Sequence, residues 1–169
     1  GKTEIAKVLA AITGADLIRL QCYEGLDASH AIYEWDYAKQ MLAIRMLEAT
    51  GRGVSQTDIM SEEYLVARPL LQAIRRSAAG EPTVLLIDEL DRADEEFEAY
   101  LLEILSDFQI TIPEIGTVVA ETPPIVVITS NRTREIHDAV KRRCIYHWID
   151  YPSVDREIQI LKAKAPETS

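Results

Sequence analysis

The sequence predicts an α/β fold, a doubly wound parallel sheet with helices on both faces. Three observations carry that reading. Residues 84–88 and 125–129 are short runs of Val, Leu and Ile of the kind that form fully buried strands in parallel sheets. Segments with helical periodicity separate the strand-like runs along the whole chain. The 169 residues, 47% of them apolar, are enough for one domain with a sizeable core.

Each element follows from local pattern. Ile5, Val8, Leu9 and Ile12 recur at helical spacing and Gly14 supplies a stop, so a helix is expected over 3–13. Residues 16–21 read as a short strand and 22–30, with Glu24, Gly25 and Asp27, as a loop. Trp35, Ala38, Met41, Leu42, Ile44 and Leu47 mark an amphipathic helix over 31–49, broken by Gly51-Arg52-Gly53. A second helix is expected around 62–79, ended by Gly80 and Pro82. After the strand at 84–88 comes a helix over 94–107, with Phe97, Leu101, Leu102, Ile104, Leu105 and Phe108 turned inward. Residues 109–120 read as a hairpin turning through Pro113 and Gly116. The strand at 125–129, a short helix near 133–142, a strand at 145–149 and a helix over 153–163 complete the chain. No internal repeat or low-complexity segment is visible.

Composition narrows the function classes. The net charge of −10 argues against general nucleic-acid binding, because no broad basic face is available to neutralise phosphates; its plainer reading is solubility. No run approaches the ~18 apolar residues that a membrane span needs. Cys22 and Cys144 are far apart and match neither a disulfide framework nor a zinc site, so buried thiols in a reducing cytoplasm are expected. His30, His137 and His147 share no metal-ligand spacing.

Two motifs carry chemistry. Gly1-Lys2-Thr3 matches the end of the phosphate-binding pattern G-x-x-x-x-G-K-[ST], in which a helix N-terminus offers free N–H groups to phosphate. Lys2 would add a cation for the outer phosphates and the Thr3 hydroxyl would ligate Mg²⁺. The pattern should begin before Gly1, so the chain is expected to be a piece of a longer protein. Asp88 and Glu89 close the most apolar strand, where acids also occur simply because a strand reaches solvent. Ligands of such sheets bind beyond the carboxyl ends of the strands. There Asp88 can hold Mg²⁺ through its water shell and Glu89 can polarise an attacking water.

Thr129-Ser130-Asn131 ends the next buried strand, either as a turn or with Asn131 placed between the acids and the terminal phosphate. Lys141-Arg142-Arg143 follows a short helix. These residues suit a helix C-terminus on dipole grounds, or supply an arginine that reaches a neighbouring subunit's γ-phosphate.

The order Gly-Lys-Thr, Ile-Asp-Glu-Leu-Asp-Arg-Ala, Ile-Thr-Ser-Asn, Lys-Arg-Arg-Cys resembles an AAA+ ATPase, specifically the MoxR branch and its CoxD-like members. The resemblance runs from Gly1 to about Pro152 and implies a P-loop NTPase fold, the AAA+ large subdomain. It assigns Gly1, Lys2, Thr3 and Asp88 to ATP and Mg²⁺, with Thr3 and Asp88 at the metal, and Glu89, Asn131 and Arg143 to catalysis, with Arg142 as the alternative finger. The hairpin at 109–120 resembles a presensor hairpin, and the long interval 22–83 is what a helix-2 insert requires. Residues 1–152 would then be a nucleotide-binding core incomplete at its N-terminus, and 153–169 the start of a C-terminal lid or a linker helix. The first strand and the lid would lie outside the chain, so the fragment alone should not hydrolyse ATP.

The resemblance implies a cytoplasmic ATPase forming a homo-oligomeric ring, a hexamer. It would act as a chaperone that remodels or matures a metalloenzyme complex, with a client protein and a von Willebrand A-domain partner. Two alternatives stand beside this reading. A nucleotide-binding assembly adaptor without turnover would be favoured by loss of Glu89, which is present. A nucleic-acid-directed P-loop motor sits poorly with the acidic composition.

Overall fold

The computed structural model describes residues 2–51, 53–150 and 152–164. Helix α1, Thr3–Thr13, closes on Gly14, whose left-handed conformation (φ 64°) lets its N–H reach the Ala10 carbonyl. Strand β1, Asp16–Gln21, follows directly. A short helix α2, Ala28–Ile32, starts at Asp27, which accepts from the His30 N–H at 2.9 Å. That carboxyl is pulled down to about 2 by hydrogen bonds from Ser29 and His30. Strand β2 is Tyr33–Trp35 and helix α3 is Tyr37–Ala49, capped by Asp36. Helix α4, Gln56–Ile59, leads to strand β3, Leu65–Ala67, and helix α5, Pro69–Ala78.

Strand β4, Thr83–Asp88, is the spine of the domain, and every one of its residues is buried. Helix α6, Glu95–Asp107, is followed by strands β5, Gln109–Ile112, and β6, Gly116–Val119. Strand β7, Ile125–Ile128, helix α7, Asp138–Arg143, and helix α8, Val154–Lys164, complete the order.

The main sheet runs β1-β4-β7, all parallel, with Leu17 opposite Val84, Gln21 opposite Asp88, and Leu86 opposite Val127. Because side chains alternate along β4, its two faces build two cores. Val84 and Leu86 pack against Ala6 and Ala10 of α1. Leu85 and Ile87 join Leu70, Leu71 and Ile74 of α5 and Phe97, Leu101 and Ile104 of α6 on the other face. The sheet is therefore covered on both sides, as the sequence predicts. The hairpin at 109–120 forms as β5–β6, with Ile110 and Ile112 turned into the second core.

Five expectations are corrected. The helix expected over 31–49 starts only at Tyr37, because residues 33–35 pair antiparallel with 65–67 as a separate ribbon. α2 in turn takes the end of the expected loop at 22–30. The helix expected over 62–79 is split by that ribbon, and Pro69 sets a fresh start by occupying the first turn of α5. The helix near 133–142 is confined to 138–143, because the N–H groups of Asn131, Thr133 and His137 bond to acid side chains instead of building helical turns. Residues 145–149 form no strand. They line an open cavity of about 780 Å³ whose opposite wall includes Val126, Val127 and Ile128 of β7. A strand needs a ladder partner, and among the described residues β7 pairs only with β4.

α3 differs from its sequence pattern too. Only Gln40 is buried, while Tyr37, Met41, Leu42 and Met46 face outward.

Candidate active site

Parallel strands bring their carboxyl ends to one edge, and a set of polar residues gathers there. Thr3 opens α1, Asp88 ends β4, and Thr129, Ser130 and Asn131 follow β7. The Thr3 hydroxyl donates to Asp88 at 3.3 Å from Oδ2 and 3.5 Å from Oδ1. Lys2 reaches across to the Ser130 carbonyl and to Asn131 Oδ1 at 3.1 Å. Asn131 Nδ2 donates to Glu89 Oε1 at 3.3 Å. Five of the residues picked out by sequence thus fall into two hydrogen-bonded groups at this edge, Thr3 with Asp88 and Lys2 with Asn131 and Glu89, and Thr129 bridges them. Gly1 lies outside the described residues.

Arg142 and Arg143 do not join it. Both are exposed on α7, and among the described residues the Arg143 guanidinium bonds its own helix, at Ala139 O, 3.4 Å away. No hydrogen bond ties Arg143 to the acid pair among the described residues.

Backbone strain marks the same edge. Glu89 holds a left-handed conformation (φ 57°) and so does Arg132 (φ 59°), each costing on the order of 1–3 kcal/mol in a residue with a Cβ. The surrounding bonds hold Glu89 there. Its N–H donates to Thr129 Oγ1 at 3.0 Å, and the next N–H, of Leu90, bonds the Thr129 carbonyl at 2.9 Å. The turn swings the Glu89 carboxylate off the strand axis, next to Asn131 rather than on the sheet face.

Several residues of the site escape a reading by motif. Arg19 donates to Asp88 Oδ2 from Nε at 3.0 Å and from Nη2 at 2.6 Å. Gln21 donates to Glu89 Oε2 at 3.1 Å and also accepts from Arg19. Both sit on β1, two residues apart and so on the same face, and the parallel register sets Gln21 opposite Asp88. That spacing was the available signal. Thr129 completes the set with a hydrogen bond to Asp88 Oδ1.

Two buried acids build the loop beneath. Asp91 accepts from the Asn131 N–H at 3.1 Å, the Thr133 N–H at 2.8 Å and the Thr133 hydroxyl at 2.7 Å. Burial opposes its charge, yet these donors together hold its carboxyl below the usual range. Glu98, 1% exposed, pairs with Arg134 and accepts from the His137 N–H at 2.7 Å. Asn131 is therefore fixed from its backbone as well as its side chain. Cys22, buried as expected, has its thiol pushed up to about 12 by burial and by the nearby acids, Asp88 foremost, which leaves it a packing residue. Cys144 is exposed, contrary to expectation.

The donor set suits a hard divalent cation. A threonine hydroxyl and a carboxylate converge within hydrogen-bonding distance, the small all-oxygen anchor that Mg²⁺ takes when phosphates and water fill its other positions. Lys2, at the start of α1 with no side chain capping the helix, adds the cation that a polyphosphate needs.

The profile of the AAA domain, dynein-related subfamily, matches residues 1–144. The chain belongs to the AAA domain family. Its solved neighbours agree in fold. This AAA domain superposes on a 2.00 Å crystal structure from Cytophaga hutchinsonii, named as a candidate ATPase, with a TM-score of 0.62 and 18% identity. The match covers 99% of this chain and 44% of that one, so the AAA domain spans less than half the length of its structural neighbour. No curated protein matches the chain. No helix among the described residues is long and apolar enough to cross a membrane.

Proposed function

We propose that this AAA domain binds ATP with Mg²⁺ and, in the complete protein, hydrolyses it to ADP and phosphate. The observation that carries the reading is the gathering of two hydrogen-bonded groups, Thr3 with Asp88 and Lys2 with Asn131 and Glu89, bridged by Thr129 at the carboxyl edge of the sheet. In it Lys2 neutralises the outer phosphates. Thr3 and Asp88 hold the metal, which supplies charge neutralisation at the phosphates. Glu89, turned aside by its left-handed backbone, takes a proton from the attacking water, and Asn131 orients both. Gly1 would contribute to the phosphate loop.

The finer reading is a MoxR-type machine: a homo-oligomeric ring, a hexamer, in the cytoplasm, with a client metalloenzyme and a von Willebrand A-domain partner. The exposed Arg143, untied to its own acid pair, supports a role in trans at a neighbour's site. The core of residues 1–152 is proposed to be incomplete at its N-terminus, and 153–169 to begin a lid or linker. The fragment alone is then inactive.

Calorimetry on the complete protein tests the reading. Lys2→Ala should weaken ATP binding at least tenfold, the loss of one charge-assisted contact worth about 1.5–3 kcal/mol. Equal affinities would remove the phosphate site. Arg143→Ala should spare binding and abolish hydrolysis.

A further inference from the structure

Asp88 accepts from three side chains, and its principal partner, Arg19, is not part of the proposed chemistry. Oδ2 accepts from both Nε and Nη2 of Arg19, at 3.0 and 2.6 Å, and Oδ1 accepts from Thr129. Thr3 Oγ1 lies against both oxygens, at 3.3 and 3.5 Å. A carboxylate offers about four lone-pair positions. All are directed at protein donors here, so the water shell of a cation has no free acceptor on Asp88.

One partner must yield for a metal to engage, and the exposures identify it. The side chain of Asp88 is 6% exposed and fixed at the end of a buried strand, whereas that of Arg19 is 52% exposed. Thr3 would keep its place, as a hydroxyl oxygen can ligate the metal it now sits beside. Arg19 cannot ligate a cation, and it can swing into solvent.

We propose that Arg19 is a latch on Asp88: its guanidinium fork occupies the metal-binding carboxylate until Mg²⁺–nucleotide displaces it. The latch rests on the reading of Asp88 as the metal-holding acid. It serves two ends. In the metal-free state Arg19 neutralises a buried charge that would otherwise stand beside the carboxylate of Glu89. It also raises the Mg²⁺ concentration at which the site fills, because the metal must compete with two charge-assisted hydrogen bonds. Gln21 steadies the latched geometry by accepting from Arg19 while donating to Glu89, so the same guanidinium touches the surroundings of both acids.

The test is a Mg²⁺ titration of the complete protein with a fluorescent, non-hydrolysable ATP analogue, starting from EDTA. Arg19→Met should lower the Mg²⁺ midpoint about fivefold, the scale of a half-exposed ion pair. It should leave binding of the analogue in EDTA within about twofold, since a latch discriminates only between metal-bound and metal-free states. The metal-free Arg19→Met protein should also melt at a lower temperature, with the difference shrinking once Mg²⁺ and analogue are saturating. Arg19→Lys, which keeps the charge and loses the fork, should shift the midpoint in the same direction by less, and it carries the test alone if the methionine variant does not fold. A midpoint unchanged or raised in the folded variants would overturn the latch. If the unaltered protein shows no Mg²⁺-dependent binding of the analogue, it is the ATP reading itself that fails.

Discussion

Strand β4 and the segment 145–149 make an instructive pair. Both are short runs rich in large apolar side chains, branched in β4 and partly aromatic in 145–149. β4 is buried at every position, hydrogen-bonded to β1 on one edge and β7 on the other. In the second run Ile145 is fully exposed and Trp148 half-exposed, beneath the Arg132 guanidinium at 5.1 Å. The two differ in partners rather than in propensity. A strand is stable when a neighbouring ladder satisfies its N–H and C=O groups, and residues 145–149 face β7 across a cavity instead of across hydrogen bonds.

Three substitutions bear on that comparison, and denaturation midpoints would rank them. Leu86→Ala removes a side chain locked between α1 and the strand neighbours of β4 and should cost about 2–5 kcal/mol. Asp91→Asn leaves the loop donors at Asn131 and Thr133 poorly matched and should cost about 1–3 kcal/mol. Ile145→Ala should change stability by no more than about 0.5 kcal/mol, as exposed positions do. A large loss at Ile145 would mean that this segment is packed as tightly as β4, and the contrast would collapse.

Acid sharpens the same ranking. The Asp91 carboxyl is held below its ordinary value of 3.8, so its stabilisation is complete above that pH and fades as pH falls through the lower, folded-state value. The gap between the unaltered protein and Asp91→Asn should therefore be constant near neutrality and narrow below about pH 4. A gap that is flat down to acid-induced unfolding would show that the Asp91 charge contributes nothing.

Much of this was legible in the residues. The buried strands, α1, α6 and the β5–β6 hairpin follow from apolar periodicity, and Lys2, Thr3, Asp88, Glu89 and Asn131 from motif chemistry. What escaped depends on pairing between distant segments. Tyr33–Trp35 and Leu65–Ala67 are too short to announce a strand, and each becomes one only because the other is opposite. Arg19 belongs to no motif in the sequence. Its role appears once the register with β4 sets β1's carboxyl end beside Asp88. Asp91 and Glu98 are acids in a polar stretch of sequence, and only folding shows that the loop carrying Asn131 hangs from them.

The most direct test of the ATP site is Glu89→Gln in the complete protein, with ATP affinity and turnover measured on the same preparation. The amide keeps the shape of the side chain and cannot accept the proton. Turnover should fall on the order of a hundredfold or more while ATP binding persists. Turnover at the rate of the unaltered protein would contradict the assignment of Glu89 and, with it, of the edge that Glu89 shares with Lys2, Thr3, Asp88 and Asn131.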